Sequence, residues 1–245
     1  MATQRIIGHR GARELWPENS REGFRKVAGL ALHGVEFDIH PSADGTLVVI
    51  HDPTLERTTE GSGPVSARSA AELSGTRLRG SEEGVPTLDE VLDILAPTGL
   101  ELHIELKADA DGRPYPGLEE QAVRQVTQRG IGARCVLTSF WLPVLATLRR
   151  IAPRLRLLAS LDPRSVERQG GLDAVLAALE LHRIDLIAVR QDLLAERWEL
   201  LTTRVGAHRL GAWVVNRPDD IARWRATPVG QITTDRPDLF ARFPV

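Results

Sequence analysis

Short apolar runs alternate along this chain with longer stretches in which apolar residues recur every three or four positions. The runs at residues 5–8, 34–39, 100–106, 135–138, 155–159, 185–189, 211–215 and 231–233 read as strands. Helical periodicity fills residues 20–31, 88–95, 118–129, 142–151, 172–181, 194–205 and 218–224. Several helix starts carry their own signals. Asn19 with Glu22 and Thr87 with Glu90 have capping-box spacing, and Asp162-Pro163 reads as an N-cap followed by proline at the first helical position. Strands alternating with helices predict a parallel sheet, and eight strands are the number that closes a barrel. The 245 residues are close to the roughly 250 that such a barrel uses, so the expectation is one α/β domain, a (β/α)8 TIM barrel over residues 1–245.

One stretch breaks the alternation. Ala43-Asp44-Gly45 is a turn signal, and residues 46–50 behind it read as a strand returning in a hairpin. Residues 52–85 are then rich in Ser, Gly, Thr and Glu and weak in periodicity. That is too long for an ordinary βα connection and is expected to be an insertion or lid over the C-terminal mouth of the barrel.

Composition narrows the function classes. Charged residues make up 26% and the formal charge is −2, which gives no electrostatic case for nucleic acid or an anionic membrane surface. Cys135 is the only cysteine, so neither an intrachain disulfide nor a thiolate metal cluster is available. No run reaches the ~18 apolar residues of a membrane span, and Met1–Gln4 lead straight into an apolar strand-like run without a charged n-region and long apolar h-region, so no secretory leader is expected. A cytoplasmic protein without stable membrane insertion is the expectation; composition says nothing of oligomeric state. Of 31 basic residues only Lys26 and Lys107 are lysines, leaving 29 arginines.

In a barrel of this kind catalytic groups sit at the C-terminal ends of strands. Reading only those positions gives His9-Arg10, Glu36 and Asp38, His51-Asp52, Glu105 and Lys107, Ser139-Phe140, Arg190, Trp213 to Asn216, and Thr234-Asp235. Side chains alternate across a strand, so Glu36 and Asp38 share a face, as do Glu105 and Lys107. Three carboxylates meeting near the barrel axis would repel one another, and a hard divalent cation, which prefers oxygen ligands, removes that cost. His9 and His51 suit a general acid and base, while Arg10 and Lys107 offer charge to phosphate oxygens. Phe140 and Trp213 are aromatic candidates for the substrate wall. His33, His182 and His208 read as structural or exposed, His40 as out of phase with Asp38, and His103 as a satisfied core histidine.

The motifs, in order, resemble those of glycerophosphodiester phosphodiesterases. They are His9-Arg10-Gly11 with Pro17-Glu18-Asn19, Glu36-Phe37-Asp38, Asp44-Gly45 with Val49-Ile50-His51-Asp52, and Arg57-Thr58-Thr59. Val85-Pro86-Thr87-Leu88, Ile104-Glu105-Leu106-Lys107, Thr138-Ser139-Phe140, Trp213-Val214-Val215-Asn216 and Thr233-Thr234-Asp235-Arg236-Pro237 continue the series. The resemblance implies one divalent metal, Mg or Ca, on Glu36, Asp38 and Glu105, with His9 and His51 as the acid–base pair. It implies a small glycerophosphodiester as substrate, released as glycerol 3-phosphate and an alcohol. Competing readings are a lysophospholipase D acting on lysolipids and a non-catalytic barrel that binds phosphate esters. The chain departs from the pattern at Ser20, where Thr is usual, at Val214 in place of Thr, and at Gln231.

Overall fold

Each strand has two faces, and this chain uses them differently. The computed structural model describes residues 4–242. Met1–Thr3, ahead of the first strand, and the last three residues of the expected 1–245 domain lie outside the described residues. The strands are β1 (Arg5–His9), β2 (Gly34–Pro41), β3 (Leu47–Val49), β4 (Glu101–Leu106), β5 (Cys135–Ser139), β6 (Arg156–Leu161), β7 (Leu186–Arg190), β8 (Leu210–Trp213) and β9 (Gln231–Thr234). β1 pairs with both β9 and β2, which closes eight parallel strands into a barrel, and β3 lies antiparallel against β2. The expected TIM barrel is the observed fold.

One set of alternating residues, among them Val35, Phe37, Ile39, Leu102, Ile104, Leu137, Leu157 and Ile187, packs outward into the main core. The inward set holds only a small apolar cluster of Val136, Leu158 and Ala188, with Leu186 and Trp213 against it. The remaining interior is polar, which a barrel built only for stability would not choose.

Among the described residues there are ten helices, all but α2 set around the barrel: α1 (Arg21–Val27), α2 (Ala70–Ser74), α3 (Leu88–Leu95), α4 (Leu118–Gln128), α5 (Leu142–Ile151), α6 (Pro163–Arg168), α7 (Leu172–Leu181), α8 (Gln191–Glu196), α9 (Trp198–Val205) and α10 (Pro218–Arg225). The capping box at Thr87–Glu90 and the cap at Asp162 form as the sequence predicts. The one at Asn19–Glu22 does not. Ser20 is the N-cap of α1, accepting from the Gly23 N–H, while Asn19 is left-handed (φ 55°) and turns its amide toward Asp38. Glu22 pairs instead with Lys26. The expected helix over 194–205 is two helices, broken at Arg197, and α1 stops at Val27 rather than running to residue 31.

Residues 52–85 build a core of their own. Leu55, Val65, Leu73, Leu78 and Val85 bury against Val48 and Ile50, while Leu47 and Val49 of the same segment belong to the main core. The β3 segment is therefore a shared wall, with successive residues facing different cores. Ser69 caps α2 in a complete capping box with Glu72.

Candidate active site

Strand register decides which polar groups meet. β1 sets His9 beside Glu36, and β4 sets Glu105 beside Asp38. Oxygen atoms of Glu36, Asp38 and Glu105 all lie within 4.8 Å of one another, and all three residues are buried. Burial, reinforced by the Asp38 and Glu105 charges, pushes the Glu36 carboxyl well above the usual carboxylate range. Asp38 goes the other way. Burial opposes its charge, but His51, Arg10, Lys107 and the Asn19 amide outweigh that and hold it below the usual range.

The donor set fits a hard divalent cation. Oxygens on opposite sides of such an ion stand about 4–5 Å apart, given ligand distances of about 2.0–2.6 Å. All donors are carboxylates, three of them facing the two nearby cations Arg10 and Lys107. Among the described residues it is the only group of three or more possible ligands with this convergence.

Both expected imidazoles face the same cavity, of about 350 Å³, at the strand ends. Each is held at Nδ1 by a carboxylate. His9 Nδ1 lies 2.5 Å from Asp235 Oδ1, and His51 Nδ1 lies 2.6 Å from Asp52 Oδ1. Such a partner fixes ring orientation and the tautomer, leaving Nε2 for chemistry. His9 Nε2 stands 3.8 Å from Glu36. Burial, then Arg10, lowers the His9 imidazole to about 4 against the pull of Asp235.

The loop after β1 is strained to achieve this. Arg10, Gly11 and Ala12 all have positive φ (49°, 73° and 64°), which is costly for the two residues with a Cβ. The Arg10 amide donates to the Glu36 carbonyl, its Nη1 donates to Glu18 at 3.0 Å, and its Nε faces Asp38 at 3.4 Å. Lys107 Nζ lies 2.7 Å from Glu105 and 3.5 Å from Asp38, and 5.8 Å from the centre of the Phe140 ring. Phe140 and Trp213 meet edge to face at 5.6 Å and line the cavity together. Trp213 Nε1 donates to the Ala188 carbonyl, so the ring is fixed. Gln231, unexplained by its neighbours in sequence, crosses the barrel floor over Gly211, where an added Cβ would meet its Cγ at 2.5 Å.

The structure therefore brings together eight of the nine expected residues on the cavity wall, with Asp38 just beneath it. Arg190 stays out, forked onto Asp192. His103 is a satisfied interior histidine, 2.8 Å from Glu101. His40 corrects its expected phase: two residues beyond Asp38 keeps it on the same face. It is fully buried, with Nδ1 3.0 Å from the Tyr115 hydroxyl and Nε2 3.1 Å from the His51 carbonyl. Arg57 and Asn216 stand in the sequence only as members of motifs, with no role given, and Arg13 is not singled out there. Arg57 forks onto both Glu18 and Asp52. Asn216 and Arg13 hold Asp235 from the other side. A second cavity, of about 540 Å³ between α7 and α9, has no imidazole in its wall.

The family profile described as the glycerophosphoryl diester phosphodiesterase family matches residues 9–239. A glycerophosphodiester phosphodiesterase of Caldanaerobacter subterraneus subsp. tengcongensis is 28% identical over 95% of this chain and 94% of its own. The crystal structure of a glycerophosphodiester phosphodiesterase from Agrobacterium tumefaciens str. C58 superimposes with a TM-score of 0.79 at 26% identity, covering 98% of this chain and all of that one. Another A. tumefaciens structure, given the same activity provisionally, reaches a TM-score of 0.90 at 28% identity over 98% and 97% of the two chains. The chain thus belongs to the glycerophosphoryl diester phosphodiesterase family, a family of phosphoric diester hydrolases.

Proposed function

We propose that this chain hydrolyses glycerophosphodiesters to glycerol 3-phosphate and an alcohol, with a divalent cation, Mg or Ca, held by Glu36, Asp38 and Glu105. The observation that carries the reading is the pair of carboxylate-oriented imidazoles, His9 on Asp235 and His51 on Asp52, opening on one cavity with Glu36 and Glu105, with Asp38 just beneath. A divalent cation there supplies charge for the phosphate oxygens and lowers the barrier to displacement at phosphorus. The remaining work falls to the chain. One imidazole removes a proton from the attacking oxygen and the other protonates the departing alkoxide. If water attacks, glycerol 3-phosphate forms directly. If the glycerol 2-hydroxyl attacks, the five-membered cyclic phosphate that results is opened by water in a second step, with the two imidazoles exchanging roles. Arg10 and Lys107 add fixed positive charge, and Phe140 and Trp213 shape the wall. Residues 52–85 buttress the mouth through Arg57, which ties Glu18 to Asp52.

The test is a coupled assay for glycerol 3-phosphate over a panel of diesters, with and without added Mg or Ca. Release from at least one diester, abolished by chelation and restored by metal, is expected. No release from any diester would overturn the activity, and full turnover after verified metal removal would overturn the cation. His9→Ala and His51→Ala should each cost about 10²- to 10⁴-fold in kcat. A p-nitrophenol diester should partly rescue only the variant that lost the acid, because its leaving group needs little protonation. Near wild-type turnover by both variants on alkyl diesters would remove the pair from the mechanism.

A further inference from the structure

At the carboxylate end of the cavity the cations are committed: Arg10 to Glu18 and Asp38, Lys107 to Glu105 and Asp38. The other end is different. There α6 starts directly after β6, its first turn pinned by the Asp162–Ser165 capping box. Arg164 and Arg168 stand four residues apart on this helix, hence on one face, and both line the cavity. Two like charges at that spacing oppose each other and destabilise a helix unless an anion comes between them. Among the described residues neither guanidinium has a carboxylate within ion-pair distance, whereas Arg10, the other arginine lining this cavity, has two. Arg168 is nevertheless placed. Its guanidinium lies 5.0 Å from the centre of the Trp141 ring, and Gln169 clamps the helix end to the neighbouring loop through the Phe140 carbonyl and the Leu142 amide. Asp162 lines the same end, but one of its oxygens accepts from the Ser165 N–H and its charge also acts on Arg190.

We propose that the preferred diester carries an anionic oxyacid group, a phosphate or a carboxylate, on its leaving alcohol, and that Arg164 and Arg168 bind it. The inference rests on the reading of the site as a glycerophosphodiester phosphodiesterase. The glycerol end is neutral and the same in every such substrate, so charge selection at the far end can act only on the alcohol. A guanidinium presents paired N–H donors that match two oxygens of a carboxylate or phosphate, and two of them outbid the single capped carboxylate nearby. A quaternary or primary ammonium in that place would face two like charges.

Steady-state kinetics of the metal-loaded full chain on four diesters tests this. They are bis(glycerophospho)glycerol, with a second phosphate, glycerophosphoglycerate, with a carboxylate and no ammonium, glycerophosphoglycerol, with a neutral alcohol, and glycerophosphocholine, with a cation. At least one anionic substrate should exceed the neutral one in kcat/KM by about tenfold, and glycerophosphocholine should come last. Which anionic diester leads tells phosphate from carboxylate. In the Arg164→Gln/Arg168→Gln double variant that preference should shrink to about threefold or less, mainly through KM. An equal loss on all four substrates would mean that the arginines only steer the diester's own charge, and the proposal would fall. It falls equally if the wild type prefers the neutral or the choline diester. Hydrolysis of none of the four would remove the underlying activity, a result distinct from hydrolysis without charge preference.

Discussion

In a chain with 29 arginines, the lysine at position 107 is an exception worth explaining. Its ammonium sits between Glu105 and Asp38, at 2.7 and 3.5 Å, with only 14% of the side chain exposed. Burial opposes the charge, but Glu105 and Asp38 prevail and hold its pKa above the ordinary lysine value. An ammonium is a compact charge that fits between two carboxylates from any side, whereas a guanidinium is wider, planar and needs a fork-shaped partner. Lys107→Arg should therefore lower turnover by about tenfold or more by displacing a carboxylate of the cluster, with little change in melting temperature. Lys26 is the internal control. It is nearly half exposed, pairs with Glu22 one helical turn away and lies 5.7 Å from the centre of the Trp16 ring, contacts that arginine reproduces. Lys26→Arg should be silent in the same assay, and equal harmlessness of the two replacements would strip Lys107 of any catalytic role.

At the scale of elements, the excursion over residues 52–85 is the part whose stability is separable from the barrel. Leu73 on α2 is fully buried, but among excursion residues and the shared β3 segment rather than in the main core. Leu73→Ala should cost about 2–5 kcal/mol, and the loss should appear first as local opening. Protease cleavage within 52–85 should accelerate by at least about tenfold while the main melting transition moves little. Activity should fall alongside, because Arg57 holds Asp52, the partner of His51. A single cooperative loss of the whole fold, without selective cleavage, would show that the excursion is continuous with the barrel. The sequence displayed some of these elements and hid others for physical reasons. Strands were legible because both faces of a barrel strand are buried, giving short apolar runs, and the metal-fitting carboxylates were legible because polar residues interrupt those runs with period two. Ser69 with Glu72 has the same spacing as Thr87 with Glu90 but does not read as a helix start, because residues 52–85 lack helical periodicity around it. Asn19 misled because a capping residue and a left-handed turn residue look alike in sequence. The Asp235 partner of His9 was visible only as a strand-end acid, since the contact spans 226 positions and exists only once β9 closes on β1. The break at Arg197 left the apolar periodicity intact and so gave no signal.

For the whole molecule, closing the barrel concentrates like charge at one buried place, so a cation bound there would be linked to stability. Three carboxylates within 4.8 Å oppose folding wherever Arg10 and Lys107 fail to balance them, and at Glu36 burial, then the Asp38 and Glu105 charges, disfavour the ionised form. A cation bound only by the folded state stabilises it by mass action, about 2.7 kcal/mol at one hundred times Kd. For a domain of this size that corresponds to a rise in Tm of roughly 5–10 °C. Thermal unfolding with and without Mg or Ca measures it directly, independent of any substrate. Glu36→Gln separates the two halves of the argument. Replacing one of three crowded carboxylates by a neutral isostere relieves repulsion, so the metal-free variant should melt at or above the metal-free wild type. The same change removes a ligand, so most of the metal-dependent rise should disappear, and with metal present the order should invert. A metal-free variant that melts well below the metal-free wild type would show that Glu36 is a structural ion-pair residue rather than one of a repelling set. A wild type whose Tm ignores both cations at millimolar concentration would show that the three carboxylates do not form a metal site.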